Sequence, residues 1–143
     1  MENAHLQALQ TLERIRLNAR RYIEPLLRQE GLGIVQAMLL AGVANGEIEN
    51  IGGVCQAMEM GQGNASTLCK RMEQDGLLLR ERSKEDERVV RLSLTDRGAS
   101  TLERVAEALD RYWDQVAQAY PELEARILDG LEAVDQMLLA VKI

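Results

Sequence analysis

The stretch Ala65–Gly98, ASTLCKRMEQDGLLLRERSKEDERVVRLSLTDRG, decides the fold, because its hydrophobic period changes from that of a helix to that of a strand. Its first part continues a helix that we predict from about Gln62 to Asp75. The apolar face of this helix comprises Ala65, Leu68 and Met72. Gly76 follows at the position where many helices end in a left-handed glycine, so the helix is expected to stop there.

Two short strands follow this helix. Leu77–Arg82 and Arg88–Leu94 are rich in aliphatic residues, and the second run alternates apolar with polar positions from Val90 onwards. The polar segment Ser83–Glu87 separates them and is typical of the tip of a β-hairpin. Thr95 is placed to cap another helix directly afterwards. The pattern therefore predicts a β-hairpin with a charged tip between two helices.

A short helix precedes the helix that begins at Gln62. Asn50 is suited to cap this short helix over Ile51–Met58, and a tight turn at Glu59–Gly61 links the two. Two short helices joined by a tight turn and followed by a β-hairpin form a winged helix-turn-helix. We therefore predict a mainly α fold with a small β-hairpin, the wing.

Helices with apolar stripes flank this unit on both sides. The first spans about His5–Leu27, where Pro25 is expected to kink or break the last turn, and the next spans Ile34–Ala44 and is apolar on nearly all sides. After the wing, one helix follows Thr95 and another is opened by Pro121. Terminal helices from two copies can bury such stripes together. This predicts a homodimer with N- and C-terminal dimerisation helices.

Three motifs in this order resemble the MarR family, the multiple-antibiotic-resistance regulators. Arg71–Leu78 is similar to the family's recognition-helix end, Asp86–Arg88 to its wing motif, and Leu92–Gly98 to its exit into the long dimer helix. Their order and spacing together make the resemblance specific. It implies a single MarR-like domain over residues 1–143, with a winged helix-turn-helix lobe at about 32–98 and a helical dimerisation region at about 5–30 and 99–143.

The chain departs from the family pattern in three places. The turn of the helix-turn-helix usually carries glycine where Glu59 stands. The pair Gly52-Gly53 is unusual early in a helix and is expected to weaken it. The peroxide-sensing branch of the family uses a cysteine in the first helix, and His5–Leu27 contains none. That mode of sensing is therefore not expected here.

The helix that begins at Gln62 is the predicted recognition helix, which enters the major groove through its N-terminal half. Gln and Asn side chains can make bidentate bonds to adenine, and Ser or Thr can reach base edges or phosphates. Lys and Arg further along meet phosphates or guanine. The predicted DNA-binding residues of this helix are Gln62, Asn64, Ser66, Thr67, Lys70 and Arg71. The alternative is that Asn64 or Ser66 only caps the helix and that the two basic residues form a solvated face.

The wing supplies a second set of predicted DNA contacts. A narrow minor groove focuses negative potential and attracts a guanidinium, which favours Arg88 as the main contact. Asp86 stands two residues earlier and can hold Arg88 by a charged hydrogen bond, a role that the family resemblance also implies. Arg82 and Lys84 are expected on backbone phosphate. The alternative is a surface ion pair on a hairpin, which contributes little.

The charge of the chain is unevenly distributed. Its net charge is −6, from 17 basic and 23 acidic residues. The segment Gln62–Gly98 holds eight basic and seven acidic residues, so its net charge is +1. The other residues carry nine basic and sixteen acidic groups, a net charge of −7. The excess of negative charge therefore lies outside the predicted DNA-binding segment, where it weakens non-specific binding without excluding specific binding.

The composition and motifs exclude several classes of protein. No apolar core of a signal peptide interrupts the first twenty residues, and the longest apolar stretch, Leu32–Ala44, is too short to span a bilayer, so we expect a cytoplasmic protein without membrane contact. One histidine and two cysteines are too few for a metal site or a disulfide framework. No Gly-rich phosphate loop or Ser-His pair is present. We predict no enzyme activity, no catalytic residue, no metal and no cofactor.

Two further features bear on regulation. Cys55 and Cys69 are interpreted as small buried hydrophobic residues, with a redox switch as the alternative. The family resemblance implies a small-molecule pocket between the dimer helices and the DNA-binding lobe. Its candidate lining is Tyr22, Met38, Tyr112 and Trp113, which are equally readable as core residues.

The sequence therefore predicts a transcription regulator that binds duplex DNA in a sequence-specific way as a homodimer. We expect a repressor on a pseudo-palindromic operator, with release by a small-molecule effector. Two alternatives stay open: a protein-interaction module that keeps the winged helix as a scaffold and docks a partner on its acidic surface, and a regulator that senses thiol oxidation.

Overall fold

Six helices and two strands make up residues 4–140, the part of the chain that the computed structural model describes. The helices are α1 (Ala4–Gln29), α2 (Ile34–Ala44), α3 (Ile51–Ala57), α4 (Gln62–Gln74), α5 (Asp96–Ala119) and α6 (Leu123–Ala140). The strands are β1 (Leu78–Arg82) and β2 (Val90–Leu94). The prediction of a mainly α fold with a small β-hairpin is therefore confirmed.

The described residues form two compact units, one up to Ala106 and one from Glu107 onwards. The first unit contains α1 to β2 and the beginning of α5, and the second contains the rest of α5 and α6. The division between a DNA-binding lobe and a dimerisation region stays a prediction. Residues 1–3 and 141–143 of the predicted domain, with Val141 at the end of the last apolar stripe, lie outside the described residues.

The core of the first unit is aliphatic. Its most deeply buried side chains are Leu39, Leu40, Val54, Cys69, Met72 and Leu78. Each leucine or valine that is fully buried in this way stabilises the fold by roughly 1.5–3 kcal/mol relative to an exposed one. The helix α2 contributes Leu39 and Leu40 but leaves Val35 and Met38 exposed. Although α2 is apolar on nearly all sides, only one of its faces therefore meets the core within this chain.

The first helix continues beyond the proline that was expected to disturb it. α1 runs through Pro25 to Gln29, so the prediction of a break there is wrong. A proline near a helix end removes a single backbone hydrogen bond. The end of α1 is held instead by a left-handed Gly31 and by Leu32, whose N–H donates to the carbonyl of Leu27 at 2.9 Å. Because Leu27 and Leu32 are both buried, their packing keeps the last turn in place.

α4 ends in the same way as α1, and this ending determines where the first strand begins. Gly76 is left-handed, with φ +71°, and its N–H donates to the carbonyl of Glu73 at 2.9 Å. The N–H of Leu77 donates to the carbonyl of Met72, also at 2.9 Å. These bonds form a Schellman motif, so the predicted end of the helix at Gly76 is confirmed. Leu77 belongs to this motif, so β1 begins at Leu78, one residue later than expected.

The wing pairs β1 and β2 antiparallel, with Leu78 opposite Leu94 and Arg82 opposite Val90. A second connection ties β2 to the segment before α3. The N–H of Leu92 donates to the carbonyl of Glu49 at 2.9 Å, and Asn50 forms an isolated bridge with Arg91. The base of the wing is therefore fixed to the segment before α3.

The sixth helix begins later than predicted. Pro121 lies in a turn, and α6 starts at Leu123, whose N–H donates to the carbonyl of Tyr120 at 3.0 Å. Its large apolar side chains are mostly exposed in the single chain, among them Leu128, Leu131, Met137, Leu138 and Leu139. Within residues 4–140, no helix is both long and apolar enough to cross a membrane.

The turn of the helix-turn-helix contains backbone strain at one residue. Asn50 caps α3 as predicted, because its Oδ1 accepts from the N–H of Gly53 at 2.9 Å. At the other end of α3, Glu59 has φ 49° and is the only non-glycine residue among the described ones with a positive φ. The glycine that the MarR pattern has at this position fits that geometry without steric cost, whereas glutamate does not.

Replacing Glu59 by glycine is therefore expected to stabilise the fold. The change relieves left-handed strain at an exposed side chain, and the greater freedom of glycine in the unfolded chain offsets part of the gain. We expect the free energy of unfolding to rise by about 0.5–1 kcal/mol, measured by urea denaturation. Glu47→Gly is the control, since Glu47 is an exposed loop glutamate without a positive φ, and it should lower stability instead. An equal loss in both variants would contradict the assignment of strain.

Candidate nucleic-acid interface

One side of α4 is buried and the other is open. Ala65, Cys69 and Met72 are buried, whereas Leu68 is only half-buried, so the predicted apolar face is wrong at one of its three positions. Spacings of three and four residues both fit a helix face, and the packing of α4 selects Cys69. The opposite side of the helix carries Thr67 and Lys70, each exposed.

The six predicted contact residues of α4 have unengaged side chains. Gln62, Asn64, Thr67, Lys70 and Arg71 are exposed, and Ser66 is half-buried. Among the residues that the structure describes, none of these side chains forms a hydrogen bond or an ion pair. The N-cap of α4 is Gly61, without any side-chain cap. The alternative in which Asn64 or Ser66 caps this helix is therefore wrong.

The tip of the wing is organised by hydrogen bonds to its own backbone. Ser83 is buried; its Oγ accepts from the N–H of Glu85 at 3.3 Å, and its N–H donates to the carbonyl of Val89 at 2.8 Å. Asp86 Oδ1 accepts from the backbone N–H of Arg88 at 3.0 Å. These bonds form turns up to Val89, which is why β2 begins at Val90 rather than at Arg88.

The geometry of Asp86 corrects one detail of the sequence interpretation. Its carboxylate holds the backbone of Arg88, and no bond to the guanidinium is formed among the described residues. The aspartate therefore fixes the backbone position of Arg88 and does not set the direction of its side chain. Arg82, Lys84 and Arg88 are exposed and take part in no ion pair within the described part of the chain, whereas Arg91 pairs with Glu85 at 3.2 Å.

A cleft of about 270 Å³ lies between α4 and the wing. Its polar lining comes from Asn50, Gln62, Ser66, Arg80 and Arg88. Three of these were predicted as DNA contacts from their positions in the sequence. The structure adds Asn50, from the cap of α3, and Arg80, from the middle of β1. We call this feature the wing cleft.

Arg80 is the least exposed basic residue of the wing cleft. Its Nη1 contacts Glu73 Oε2 at 3.4 Å, and its Nε is buried without a hydrogen-bond partner among the described residues. Sequence reasoning missed this residue, although strand alternation was a usable signal. Positions two apart in a strand share a face, so Arg80 lies on the face of the buried Leu78. A charged residue at such a position is unusual and requires a partner.

The two cysteines differ in exposure. Cys69 is fully buried, as interpreted from the sequence, whereas Cys55 is only half-buried. Burial raises the pKa of the Cys69 thiol, and the positive charge of Arg80 offsets only part of this effect. Cys69 is therefore a protonated, inaccessible thiol at neutral pH, a state in which cysteines react slowly.

The four candidate effector residues are divided between the two units. Tyr22 and Met38 belong to the first unit and expose 58% and 54% of their surface, which is not expected of core residues. Tyr112 and Trp113 belong to the second unit and are half-buried. The effector pocket itself stays a prediction.

Comparison with known proteins identifies relatives among transcription regulators. The family model of the transcriptional regulators SarA/Rot matches residues 21–105, which include α2 to β2 and the wing cleft. The organic hydroperoxide resistance transcriptional regulator of Bacillus subtilis is 33% identical over 84 residues, or 59% of this chain. That match covers 57% of the relative, so the chain spans little more than half of its length.

Solved structures of the MarR family have the same fold. A MarR family protein from Bacillus stearothermophilus has a TM-score of 0.81 and 23% identity, over 97% of this chain and 99% of the other. FabT of Streptococcus pneumoniae, solved in complex with DNA, has a TM-score of 0.80 and 21% identity, over 96% of this chain and 99% of the other. The winged helix-turn-helix fold of the MarR type that the sequence predicted is therefore confirmed.

Proposed function

The chain belongs to the SarA/Rot family of transcriptional regulators, and we propose that it acts as a homodimer that binds a pseudo-palindromic operator in duplex DNA. The observation that carries the proposal is the set of unengaged polar side chains on α4 beside a wing whose second strand is hydrogen-bonded to the segment before α3. The recognition helix enters the major groove through Gln62, Asn64, Ser66 and Thr67, and Lys70 and Arg71 reach the backbone. Arg88 enters the adjacent minor groove.

The exposed apolar side chains of the terminal helices support a dimer. In α1, Leu6, Leu9 and Ile15 each expose between 45% and 64% of their surface. In α6, Leu131 and Leu138 are exposed to a similar extent. Side chains of this kind are normally covered in a soluble protein, and a second copy supplies a matching surface by two-fold symmetry. Two recognition helices then read half-sites about 10 bp apart.

We propose repression as the direction of control, because a dimer seated in successive grooves excludes other proteins from that stretch of duplex. An effector releases the DNA only if it binds the released conformation better than the bound one. We place Tyr22 and Met38 among its contacts because their large exposed side chains have no role in the core of the first unit. Control by Cys69 oxidation is disfavoured by the burial of its thiol.

A protein-interaction module is the second candidate, and the net charge of −6 is the observation that favours it. In this alternative the acidic surface docks a partner and the winged helix is a scaffold. Salt dependence separates the two functions, because phosphate contacts release counterions and duplex binding therefore weakens steeply with salt. A docking module shows no duplex binding even at low salt.

The test is fluorescence anisotropy with the duplex upstream of the protein's own gene and a scrambled duplex, each at two salt concentrations. Tight binding that is sensitive to salt and prefers the upstream duplex supports the proposal. Equal binding to both duplexes requires selection of the operator from random DNA. Absence of binding to either duplex at low salt contradicts the proposal and favours the interaction module. Sedimentation of the free protein checks the dimer.

Asn64→Ala is expected to relax sequence preference more than it changes salt dependence. An amide that reads an adenine contributes about 1–3 kcal/mol to discrimination between bases, and it carries no charge. We therefore expect a loss of about tenfold or more in the ratio of operator to scrambled affinity, with the salt slope retained. Gln74→Ala, an exposed amide at the other end of α4, is the control and should leave the ratio unchanged. Unchanged specificity in Asn64→Ala would remove this residue from the interface.

A further inference from the structure

The wing cleft lies where a DNA backbone must pass. The proposed function places α4 in the major groove and the wing in the adjacent minor groove, and the inference rests on that placement. Neighbouring major and minor grooves of a duplex are separated by one sugar-phosphate strand. That strand therefore crosses the cleft between α4 and the wing, and it brings phosphate oxygens against the cleft's polar lining.

The cleft has the chemistry to hold a phosphate. Its volume of about 270 Å³ exceeds the needs of one phosphate group, and its lining contains two arginines, an asparagine, a glutamine and a serine. None of the described residues that line it is acidic. Arginine binds phosphate oxygens through its planar fork of N–H groups, and hydroxyl and amide groups commonly add further contacts.

Arg80 is an unsatisfied donor in this lining. Its Nε is buried and has no acceptor among the described residues, although a buried N–H normally has one. Its contact with Glu73 is long, at 3.4 Å, and uses Nη1 only. A phosphate supplies the acceptor that the guanidinium lacks, after a rotation of the side chain within the cleft. The rest of the lining fixes the depth to which that phosphate enters.

We propose that the wing cleft is a phosphate-binding site for the DNA backbone and that Arg80 is its main ligand. Arg80 then positions the duplex between the major-groove and minor-groove contacts and reads no base. It contributes equally to every sequence and sets the register in which Asn64 and Arg88 meet their targets.

The test is the salt dependence of duplex binding by Arg80→Met, which keeps the apolar stem and removes the charge. Each phosphate contact contributes about 0.9 to the slope of log affinity against log salt, so the slope becomes shallower by about that amount per subunit. Operator and scrambled duplexes lose affinity by the same factor. Arg80→Lys keeps a point charge and retains the slope. Arg111→Met, an exposed arginine of α5, is the matched control and changes neither quantity.

Stability measurements separate a DNA ligand from a structural residue. Without DNA, Arg80→Met unfolds at the same urea concentration as wild type or at a higher one, because the change removes an unsatisfied buried donor. A lower midpoint together with an unchanged salt slope would overturn the proposal and make Arg80 a structural partner of Glu73. If the methionine variant does not fold, Arg80→Gln, which also removes the charge, provides the same comparison.

Two further arms identify the source of the phosphate. A duplex with a neutral methylphosphonate at the backbone position between the two grooves should bind wild type and Arg80→Met with equal affinity. The DNA assignment would be overturned in favour of a free anion by two results together. Inorganic phosphate would raise the melting temperature of wild type but not of Arg80→Met, and the two proteins would still differ in affinity for the methylphosphonate duplex. Wild type that binds no duplex at low salt contradicts the proposed function itself. If wild type binds the duplex and Arg80→Met shows the same slope of log affinity against log salt, only the role of the cleft is contradicted.

Discussion

Gly98→Ala lowers the free energy of unfolding by about 3 kcal/mol, the largest effect on stability that we expect from a single methyl group in this chain. A Cβ at this position would lie 2.1 Å from the carbonyl oxygen of Leu77 and 3.0 Å from its carbon. Both are backbone atoms, so no side-chain rotation relieves the clash. The beginning of α5 must move away from the entrance to β1.

That movement breaks the bonds that join the start of α5 to the turn after α4. Thr95 Oγ1 donates to the carbonyl of Gly76 at 2.6 Å and accepts from the N–H of Gly98 at 2.8 Å. The N–H of Thr95 donates to the carbonyl of Leu77 at 3.2 Å. Loss of two such bonds costs about 1–3 kcal/mol, and the overpacking adds to it. Urea denaturation of the free protein measures the sum.

Gly63→Ala is the matched control for Gly98→Ala. Gly63 is also helical, but a Cβ there meets nothing within 4 Å. Alanine is the better helix former, so this control is expected to be neutral or to gain up to about 1 kcal/mol. If the free energy of unfolding of Gly98→Ala lay within about 0.5 kcal/mol of the wild-type value, as for an ordinary surface substitution, the close approach of α5 to Leu77 would be wrong.

The junction at Gly98 shows what the sequence can predict. Thr95 as a cap, Gly76 as a helix stop and Asn50 as the cap of α3 all depend on bonds within a few residues, and each lies where it was predicted. Local hydrogen bonds of this kind are encoded by residue type and spacing alone. For the same reason the order of helices and strands was predictable almost throughout.

The features that the sequence did not predict depend on packing between elements. Periodicity allowed either Leu68 or Cys69 on the buried face of α4, and the elements against which α4 packs decide between them. The partner of Asp86 is a backbone N–H rather than a guanidinium, because the tip folds into a turn that the pattern left undefined. Arg80 enters the wing cleft only because β1 pairs with β2 in one register, which places it opposite Leu92.

The uneven distribution of charge affects how the chain can bind DNA. A chain of net charge −6 is repelled by duplex DNA at long range, so binding depends on a few basic residues placed at short range. In the proposed interface these residues are Arg88 in the wing, which has no ion pair within the described part of the chain, and Arg80 in the cleft, whose contact with Glu73 is long, at 3.4 Å. Removal of one of them should therefore cost more affinity than it would in a strongly basic protein.

Arg88→Ala is expected to lower operator affinity about a hundredfold, the largest effect on binding that we predict. An arginine in a groove contributes about 1–3 kcal/mol, and each 1.4 kcal/mol is a factor of ten, so the two wings of the proposed dimer together give about a hundredfold or more. The side chain is exposed, and Asp86 holds only the backbone, so alanine at this position leaves the fold unchanged. Anisotropy at fixed salt measures the affinity, and an unchanged urea midpoint confirms that the variant is folded.

Arg91→Ala separates a specific role of Arg88 from the general effect of one positive charge in the wing. Arg91 lies on β2 and is paired with the exposed Glu85 at 3.2 Å, so its charge is already partly balanced and its removal is expected to change DNA affinity within about fivefold. A narrow minor groove, as in A-tracts, attracts the guanidinium of Arg88 more strongly than a wide one. The loss in Arg88→Ala should therefore be larger on an operator with an A-tract under the wing than on one with mixed sequence there. Equal losses for Arg88→Ala and Arg91→Ala on both operators would mean that the wing acts through its net charge and does not enter the groove.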